Sequence, residues 1–262
     1  MTNEPILCHI EEHVATLTLN RPDNLNAMDE AMGKGFQKAL ASLEKNKEVR
    51  VVIITGAGRA FSSGGNLEML EEKLIKNQLN NYKDLKNFYR VFLGARKLRV
   101  PVIAAINGAA VGAGFCLSLA CDLRYAASTA KMGANFARLG LAPGMGGSYL
   151  VTRLVGPTRA AEVLLLAEIL SASKAFEMGL LNAIVEPENL MSHVLGVAKV
   201  IAGNAPFAIE TIKKGIQMAM HATLEKMFDY DARSQAKSFS SEDIKEGIRA
   251  VREKRNPVFR GT

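Results

Sequence analysis

Up to about residue 186, segments with the hydrophobic pattern of a β-strand alternate with segments that have the hydrophobic spacing of an α-helix. Some short segments alternate or are apolar throughout and end at turn residues, which is typical of strands. The predicted strands are Val14–Leu19, Val49–Ile54, Val102–Ile106, Asp122–Ala126 and Ala183–Val185. Other segments have helical spacing, and they predict helices at Asp29–Leu43 (with Asp29 as N-cap), Leu67–Lys76, Lys83–Leu98, Tyr149–Val155, Arg159–Ala167 and Lys174–Met178.

From Glu188 onward every segment has helical spacing, and a capping-box pattern at 240–243 precedes a helix at Ile244–Lys254. Strands that alternate with helices, followed by helices alone, predict an α/β layer fold with a helical C-terminal region. We expect the α/β core to occupy residues 1–200 and the C-terminal helical region residues 201–262.

The segment 100–122 carries no charge between Arg99 and Asp122, so its hydropathy alone is compatible with a membrane helix. The Asn107-Gly108 pair and Gly112 favour another interpretation, in which a buried strand and a tight turn lead to a buried helix that begins near Gly112. Glycines at a helix start let a ligand's polar atom approach unpaired backbone N–H groups, and such a site can bind an oxyanion.

Composition restricts the class of protein. The 262 residues are 48% hydrophobic and 23% charged, which suits one substantial domain, and the net charge of +7 suits a basic protein or an anionic ligand. Aromatic residues make up 6% and do not interleave with basic blocks, so nucleic acid is not an expected partner. Three cysteines without CxxC spacing predict reduced thiols and a cytoplasmic location, and four scattered histidines predict no metal site. The N-terminus predicts no signal peptide, and we expect no membrane span.

Several short motifs follow one another in an order that is more informative than any one of them. Taken alone, the Gly56–Gly58 turn is weak evidence for a dinucleotide-binding site, because Phe61 stands where the third glycine of the fingerprint would be. The motifs are Leu19–Asp23, Leu25–Ala27, Val52–Gly56, Ala60–Asn66, Pro101–Gly108, Gly112–Gly114, Ala120–Asp122, Gly140–Gly147, Arg153–Gly156, Ala175–Leu181, Glu246–Ala250 and Glu253–Arg255. As an ordered set over nearly the whole chain, they resemble the crotonase (enoyl-CoA hydratase/isomerase) family.

The resemblance implies a spiral of ββα units with a C-terminal all-helical trimerisation region, assembled as a homotrimer or a dimer of trimers. It implies an acyl-CoA thioester as substrate and no permanently bound cofactor. It places the two oxyanion-hole N–H groups at Gly65 and Ala113, where fixed amide donors stabilise charge that develops on a thioester oxygen. It also implies coenzyme A contacts at Ala27, Ala60, Ser62, Ser63, Gly64, Asn66 and Leu67.

The chain departs from the family's pattern at its acid and base positions. The two hydratase glutamates fall at Cys116 and Phe136, and an aspartate that some relatives carry eight residues later falls at Gly144. Because a positioned acid or base contributes about 10²–10⁴-fold, we do not expect hydration of the usual kind. The expected function is acyl-CoA processing by a lyase or isomerase of fatty acid metabolism, through isomerisation, decarboxylation or hydrolysis; the alternative is a CoA-ester-binding protein with weak catalysis.

A replacement acid or base has few candidates in the sequence. They are Glu68, Glu71, Glu72 and Tyr149, although a solvated helix face is the alternative interpretation for each glutamate. Cys116 lies among apolar residues and is interpreted as inert packing. Asn66 and Asn135 either position water or substrate or serve as turn and cap residues.

Overall fold

The computed structural model describes residues 4–262 and contains two sheets within that range. The strands are β1 (Ile6–Glu11), β2 (Val14–Leu19), β3 (Val51–Gly56), β4 (Ala60–Ser62), β5 (Val102–Ile106), β6 (Ala109–Val111), β7 (Leu123–Ala127), β8 (Lys131–Gly133), β9 (Leu170–Ser171) and β10 (Ala183–Val185). The larger sheet has the order β1-β2-β3-β5-β7-β10 and the smaller one the order β4-β6-β8-β9.

Helices pack against both sheets, and the region after β10 is helical. They are α1 (Glu30–Lys45), α2 (Leu67–Ile75), α3 (Gln78–Phe92), α4 (Ala113–Ala120), α5 (Gly147–Leu166), α6 (Ala172–Glu177), α7 (Leu190–Ala202), α8 (Pro206–Ala219), α9 (Leu224–Ser238) and α10 (Glu242–Glu253). Short 3₁₀ turns lie at Pro22–Asn24, Leu93–Lys97, Asn135–Leu139 and Pro187–Asn189.

Successive strands enter the larger and then the smaller sheet, as β3 and β4, β5 and β6, and β7 and β8. Helices follow each of these pairs. After β4 and β6 they return the chain to the larger sheet, whereas after β8 the chain passes through α5 to β9 in the smaller sheet and then through α6 to β10 in the larger one. Neighbouring strands pair in parallel in this arrangement, whereas β1 and β9 are antiparallel to their partners. The structure therefore confirms the predicted α/β fold of ββα units with a helical C-terminal region.

The central strands are buried because both faces of the larger sheet are covered. Every residue of β5 is buried, as are the first five residues of β3, which is the usual state of strands inside a parallel sheet. The helix α7 packs on β2, β3, β5 and β7 through residues spaced about four apart. Those buried residues are Leu190, Val194, Ala198 and Ala202.

A buried ion pair joins the C-terminal helices to the segment 100–122. The Nζ atom of Lys213, on α8, lies 2.9 Å from an Asp122 carboxylate oxygen and donates to the Val100 carbonyl oxygen at 2.8 Å. The same Asp122 oxygen accepts from the Val102 N–H at 2.8 Å, and Lys213 is only 6% exposed. These bonds satisfy a lysine that would be costly to bury alone.

The structure corrects several predicted boundaries. The helix expected at Lys83–Leu98 begins earlier, at Gln78, and its last residues form the 3₁₀ turn at Leu93–Lys97. The helix α10 is capped by Ser241, whose Oγ accepts from the Ile244 N–H at 3.3 Å. The predicted capping box at 240–243 is therefore wrong by one residue, and Asp243 accepts instead from the N–H groups of Arg260 and Gly261.

Strands of the smaller sheet were not predicted, and neither was β1. The strands β4, β6 and β8 have three residues each, which is too short for a period to be visible in the sequence. The hairpin between β1 and β2 turns at Glu12 and His13, both with positive φ (44° and 68°), so the usual glycine or asparagine signal is missing.

Within residues 4–262, no single helix has both the length and the hydropathy needed to cross a bilayer. One bent pair, Pro187–Ala202 with Pro206–Ala219, meets that test only when its two helices are taken together across a bend of 106°. No cluster of three or more His, Cys, Asp or Glu side chains suited to a metal ion is found in the same range.

Candidate functional site

The turn between β4 and α2 contains one predicted amide donor, Gly65, which is partly buried. Gly64 has φ +88°, a left-handed conformation that favours glycine, and its carbonyl oxygen accepts from the Met28 N–H at 2.7 Å. Asn66 is the N-cap of α2, because its Oδ1 accepts from the Met69 N–H at 2.9 Å. Of the two interpretations of Asn66, the structure thus supports the cap.

The start of α4 brings the second predicted donor, Ala113, against the same turn. A Cβ atom on Gly64 would lie 2.6 Å from the Val111 carbonyl oxygen and 3.0 Å from the Ala113 nitrogen. A Cβ atom on Gly114 would lie only 2.4 Å from the Ser62 carbonyl oxygen. Backbone contact this close requires that positions 64 and 114 have no Cβ atom, so these two glycines set the separation of the two segments.

The amides of Gly65 and Ala113 donate no hydrogen bond to another residue within the described part of the chain. Ala113 is the first residue of α4, so its N–H has no partner inside the helix. Two such donors, held by packed backbone, can bind a negatively charged oxygen, and the partial positive charge at the start of α4 adds to the effect.

The predicted coenzyme A contacts lie around this turn, and four of them (Ala27, Ala60, Ser62 and Gly64) are buried. The Ser62 side chain is fully buried; its hydroxyl donates to the Asn26 carbonyl oxygen at 2.8 Å and accepts from the Gly64 N–H at 3.1 Å. Its hydroxyl therefore holds the turn together instead of facing a ligand. Leu67, at the first position of α2, is 70% exposed.

Asn26 is a structural residue of the site that sequence reasoning missed. Its side-chain amide donates to the carbonyl oxygens of Ala57 at 2.9 Å and Ala60 at 2.7 Å. Its Oδ1 accepts from the Arg21 N–H at 2.8 Å. These bonds place the predicted contacts Ala27, Ala60 and Ser63 next to each other, and Ser63 adds a bond from its N–H to the Leu25 carbonyl oxygen at 3.0 Å. The Leu-Asn-Ala motif contained this asparagine without revealing its role.

The three positions that lack a carboxylate meet in space. The Cys116 Sγ lies 3.7 Å from the Gly144 carbonyl oxygen and 3.3 Å from the Cβ position of Gly147. The Phe136 ring lies 3.9 Å from that same Cβ position and also borders Gly112. Burial raises the pKa of the Cys116 thiol to about 12, which supports its interpretation as neutral packing. Side chains at this junction therefore supply neither a carboxylate nor a thiolate at neutral pH.

The predicted replacement groups lie elsewhere. Glu68, Glu71 and Glu72 are exposed on α2, and Glu68 accepts from the Asn66 side-chain amide at 3.3 Å. Glu68 and Glu72 face a cleft between α1, α2 and α3. Tyr149 is exposed and pairs with His221 in the turn after α8, with 2.7 Å between Oη and Nε2. Within the described residues, none of the four forms a hydrogen bond with Cys116 or Gly144.

A different tyrosine, Tyr89, reaches the junction from α3. Its Oη lies 2.8 Å from the Cβ position of Gly144, and its pKa is raised mainly by desolvation and further by the neighbouring Cys116. In the sequence, Tyr89 follows Phe88 within a helix and precedes Phe92, a pattern typical of core packing. Only the missing carboxylates gave a reason to look for another polar group, and the sequence does not say which helix provides it.

Comparison with known proteins gives consistent results. The profile of the family described as Enoyl-CoA hydratase/isomerase matches residues 9–262. The chain is 36% identical over 259 residues to the 1,2-epoxyphenylacetyl-CoA isomerase of Escherichia coli, covering 98% of this chain and 99% of that one. It is 35% identical over 252 residues to the short-chain-enoyl-CoA hydratase of Clostridium acetobutylicum, covering 95% of each. The crystal structure of an enoyl-CoA hydratase from Bacillus anthracis superposes with a TM-score of 0.93 at 32% identity, over 98% of this chain and 100% of that one. The chain therefore belongs to the enoyl-CoA hydratase/isomerase family.

Proposed function

We propose that this protein binds an acyl-CoA thioester and stabilises the enolate or oxyanion form of its thioester group between the N–H groups of Gly65 and Ala113. The observation that carries this proposal is the contact between two glycine-containing segments that leaves both amides without a partner in the described residues. Coenzyme A would lie along the turn formed by Ala27 and residues 60–67. A net charge of +7 is compatible with its phosphates.

The reaction we propose is one other than two-glutamate hydration. Cys116, Phe136 and Gly144 provide no group that titrates near neutral pH, whereas addition of water to a double bond normally uses an acid and a base. Isomerisation, decarboxylation and thioester hydrolysis all pass through an enolate or oxyanion that the two amides would stabilise. The names of the similar proteins, one an isomerase and one a hydratase, are compatible with a family site that serves several reactions.

The same uncharged junction favours a second candidate, a CoA-ester-binding protein with little catalysis. Calorimetry with acetyl-, crotonyl- and malonyl-CoA, followed by steady-state assays on the same esters and on a β,γ-enoyl-CoA, distinguishes the two. Binding with turnover supports the enzyme, and binding without turnover on any ester supports the second candidate. If no ester binds, both proposals are wrong.

We also propose a homotrimer or a dimer of trimers in the cytoplasm, with residues 201–262 as the assembly region. Large apolar side chains remain exposed on the C-terminal helices, which is typical of a surface that another chain covers. They include Ile212, Ile216, Leu224, Phe228, Ile248 and Val251. The cysteines Cys8, Cys116 and Cys121 are all free, as in a reducing compartment. Mass photometry of the wild type and of Phe228→Lys tests the assembly: we expect a trimer or hexamer for the first and smaller species for the second.

A further inference from the structure

The Tyr89 hydroxyl occupies the space in which a side chain at position 144 would begin. Its Oη lies 2.8 Å from the Cβ position of Gly144, and the nearest ring atoms lie at 3.3 and 3.5 Å. Gly144 has no left-handed φ, so an ordinary residue would fit its backbone if the tyrosine were absent. A side chain at position 144 would therefore have to displace the Tyr89 hydroxyl, which is the end of a flexible side chain, and in this chain the phenol occupies that space.

The hydroxyl of Tyr89 differs from those of Tyr230 and Tyr149, whereas the exposed Tyr82 hydroxyl also only accepts, from the Lys86 Nζ at 2.9 Å. Tyr230 donates to the Thr211 carbonyl oxygen at 2.8 Å, and Tyr149 is paired with His221. For Tyr89, the recorded polar neighbour is the backbone of Met145, whose hydrogen bonding favours the ionised phenol and opposes the effects of desolvation and of Cys116. A backbone N–H is a donor, so the hydroxyl's own proton has no acceptor among residues 4–262.

Desolvation is the larger effect, and it raises the pKa of Tyr89 above its ordinary value of 10.0. Tyr89 is consequently a neutral phenol at pH 7, which can give a proton but cannot readily remove one from carbon. The junction thus offers a proton donor and no base. Such a site suits an enolate that forms without removal of a proton.

We propose that the Tyr89 hydroxyl is a catalytic proton donor and that the substrate is a β-carboxyacyl-CoA thioester, which undergoes decarboxylation; this rests on the proposed thioester site at Gly65 and Ala113. The bond between the α-carbon and the carboxylate carbon breaks, CO₂ leaves, and the electron pair forms the thioester enolate. The enolate α-carbon then takes the proton of Tyr89 as the thioester carbonyl re-forms. The tyrosinate recovers a proton from water at its partly exposed side.

Charge at the junction agrees with this class of substrate. Glutamates at 116 and 136 and an aspartate at 144 would repel a carboxylate on the acyl group, whereas the thiol of Cys116 is neutral and Phe136 is apolar. An apolar wall also disfavours the localised charge of the ground-state carboxylate more than the dispersed charge of the transition state. The absence of carboxylates at these three positions and the presence of the phenol are thus consistent with the same class of substrate.

The test compares the wild type with Tyr89→Phe, which keeps the ring, and with Tyr82→Phe, which removes an exposed hydroxyl from the same helix. The measurements are calorimetric Kd for malonyl-CoA, kcat and KM for 2-methylmalonyl-CoA, and the stereochemistry of the propionyl-CoA that forms in D₂O. We expect Tyr89→Phe to lower kcat by about 10²-fold with KM within about threefold, and Tyr82→Phe to change neither. The wild type places deuterium on one face of the α-carbon, and Tyr89→Phe gives a racemic product because solvent protonates the enolate.

A second variant gives an independent check on the contact. Gly144→Ala puts a methyl group against the Tyr89 hydroxyl, so it lowers kcat about 10-fold or more in the wild type and less than threefold in Tyr89→Phe, where the oxygen is gone. A Tyr89→Phe protein that keeps its kcat within threefold, or keeps deuterium on one face, overturns the inference. So does a wild type that binds these esters but decarboxylates neither, and in that case the proposed thioester site still stands. A wild type that binds no CoA ester fails at the proposed function itself.

Discussion

Replacing Gly114 with alanine separates the two segments that carry the proposed oxyanion donors. An ideal Cβ atom at this position lies 2.4 Å from the Ser62 carbonyl oxygen, about 1 Å short of ordinary van der Waals contact. This carbonyl oxygen is a backbone atom of β4, and Ser62 is fully buried. It therefore cannot move aside as the end of a flexible side chain would. The segment that contains Ala113 must therefore move by roughly 1 Å relative to the turn that contains Gly65.

Two magnitudes follow from that displacement. Overpacking of a close contact costs about 1–3 kcal/mol in the free energy of unfolding. A misplacement of about 1 Å in a catalytic array costs on the order of 10² in rate. We expect Gly114→Ala to lower kcat about 100-fold on whichever ester the wild type turns over, with the protein still folded.

The control is Gly196→Ala, since Gly196 lies within α7 and nothing lies within 4 Å of its Cβ position. Alanine is favoured over glycine in a helix by about 0.5–1 kcal/mol, so this variant should be slightly more stable and fully active. The measurements are urea unfolding followed by circular dichroism and steady-state kinetics on the same preparations. If Gly114→Ala turns over at the wild-type rate, the proposed pairing of the two amide donors is wrong.

Three further predictions use other contacts of the same region. Asn66→Ala removes the N-cap of α2 and should lower the free energy of unfolding by about 1 kcal/mol, whereas Asn66→Asp, which can cap, should lower it less, as measured by urea unfolding. Lys213→Ala leaves the carboxylate of Asp122 partly buried without its cation and should cost about 3 kcal/mol in the same assay, with a cost below 1 kcal/mol contradicting a role in joining α8 to the core. Burial raises the pKa of Cys116 and Cys121 from 9.0 to about 12, so above pH 9 the unfolded chain binds fewer protons than the folded one. The free energy of unfolding should therefore fall between pH 9 and pH 12, by at most about 1.4 kcal/mol per pH unit for each thiol, and the decline should be halved in Cys121→Ala.

The larger sheet was predictable from the sequence because its strands are buried and long enough to have a pattern. The smaller sheet was not, because strands such as β4 and β6 are defined by their pairing with strands distant in sequence, for example Ala60 with Ala109 and Ala110 with Met132. The predicted turn at Asn107-Gly108 does separate β5 from β6. What the sequence lacked there was evidence that the chain continues as a second strand before α4.

The candidate site also has a part that the sequence predicted and a part that it did not. Motif order was enough to indicate the turns that contain Gly65 and Ala113, and the structure brings those turns into contact. Tyr89 could not be found in this way, because it lies 27 residues before Cys116 in a helix whose aromatic spacing looks like core packing. Its relation to Gly144 depends on how α3 packs against the loop before α5, which is a property of packing and not of local pattern.

The packed glycines of the site also determine how this protein can change. A peptide N–H is common to every residue except proline, so most substitutions at Gly65 or Ala113 would keep a donor, whereas any side chain at Gly114 meets the carbonyl oxygen of Ser62. We therefore expect fewer substitutions to be tolerated at Gly114 than at the two residues whose amides are the proposed donors. A lineage could exchange residues such as those at 116 and 136 while the backbone that carries the two proposed oxyanion donors is inherited intact.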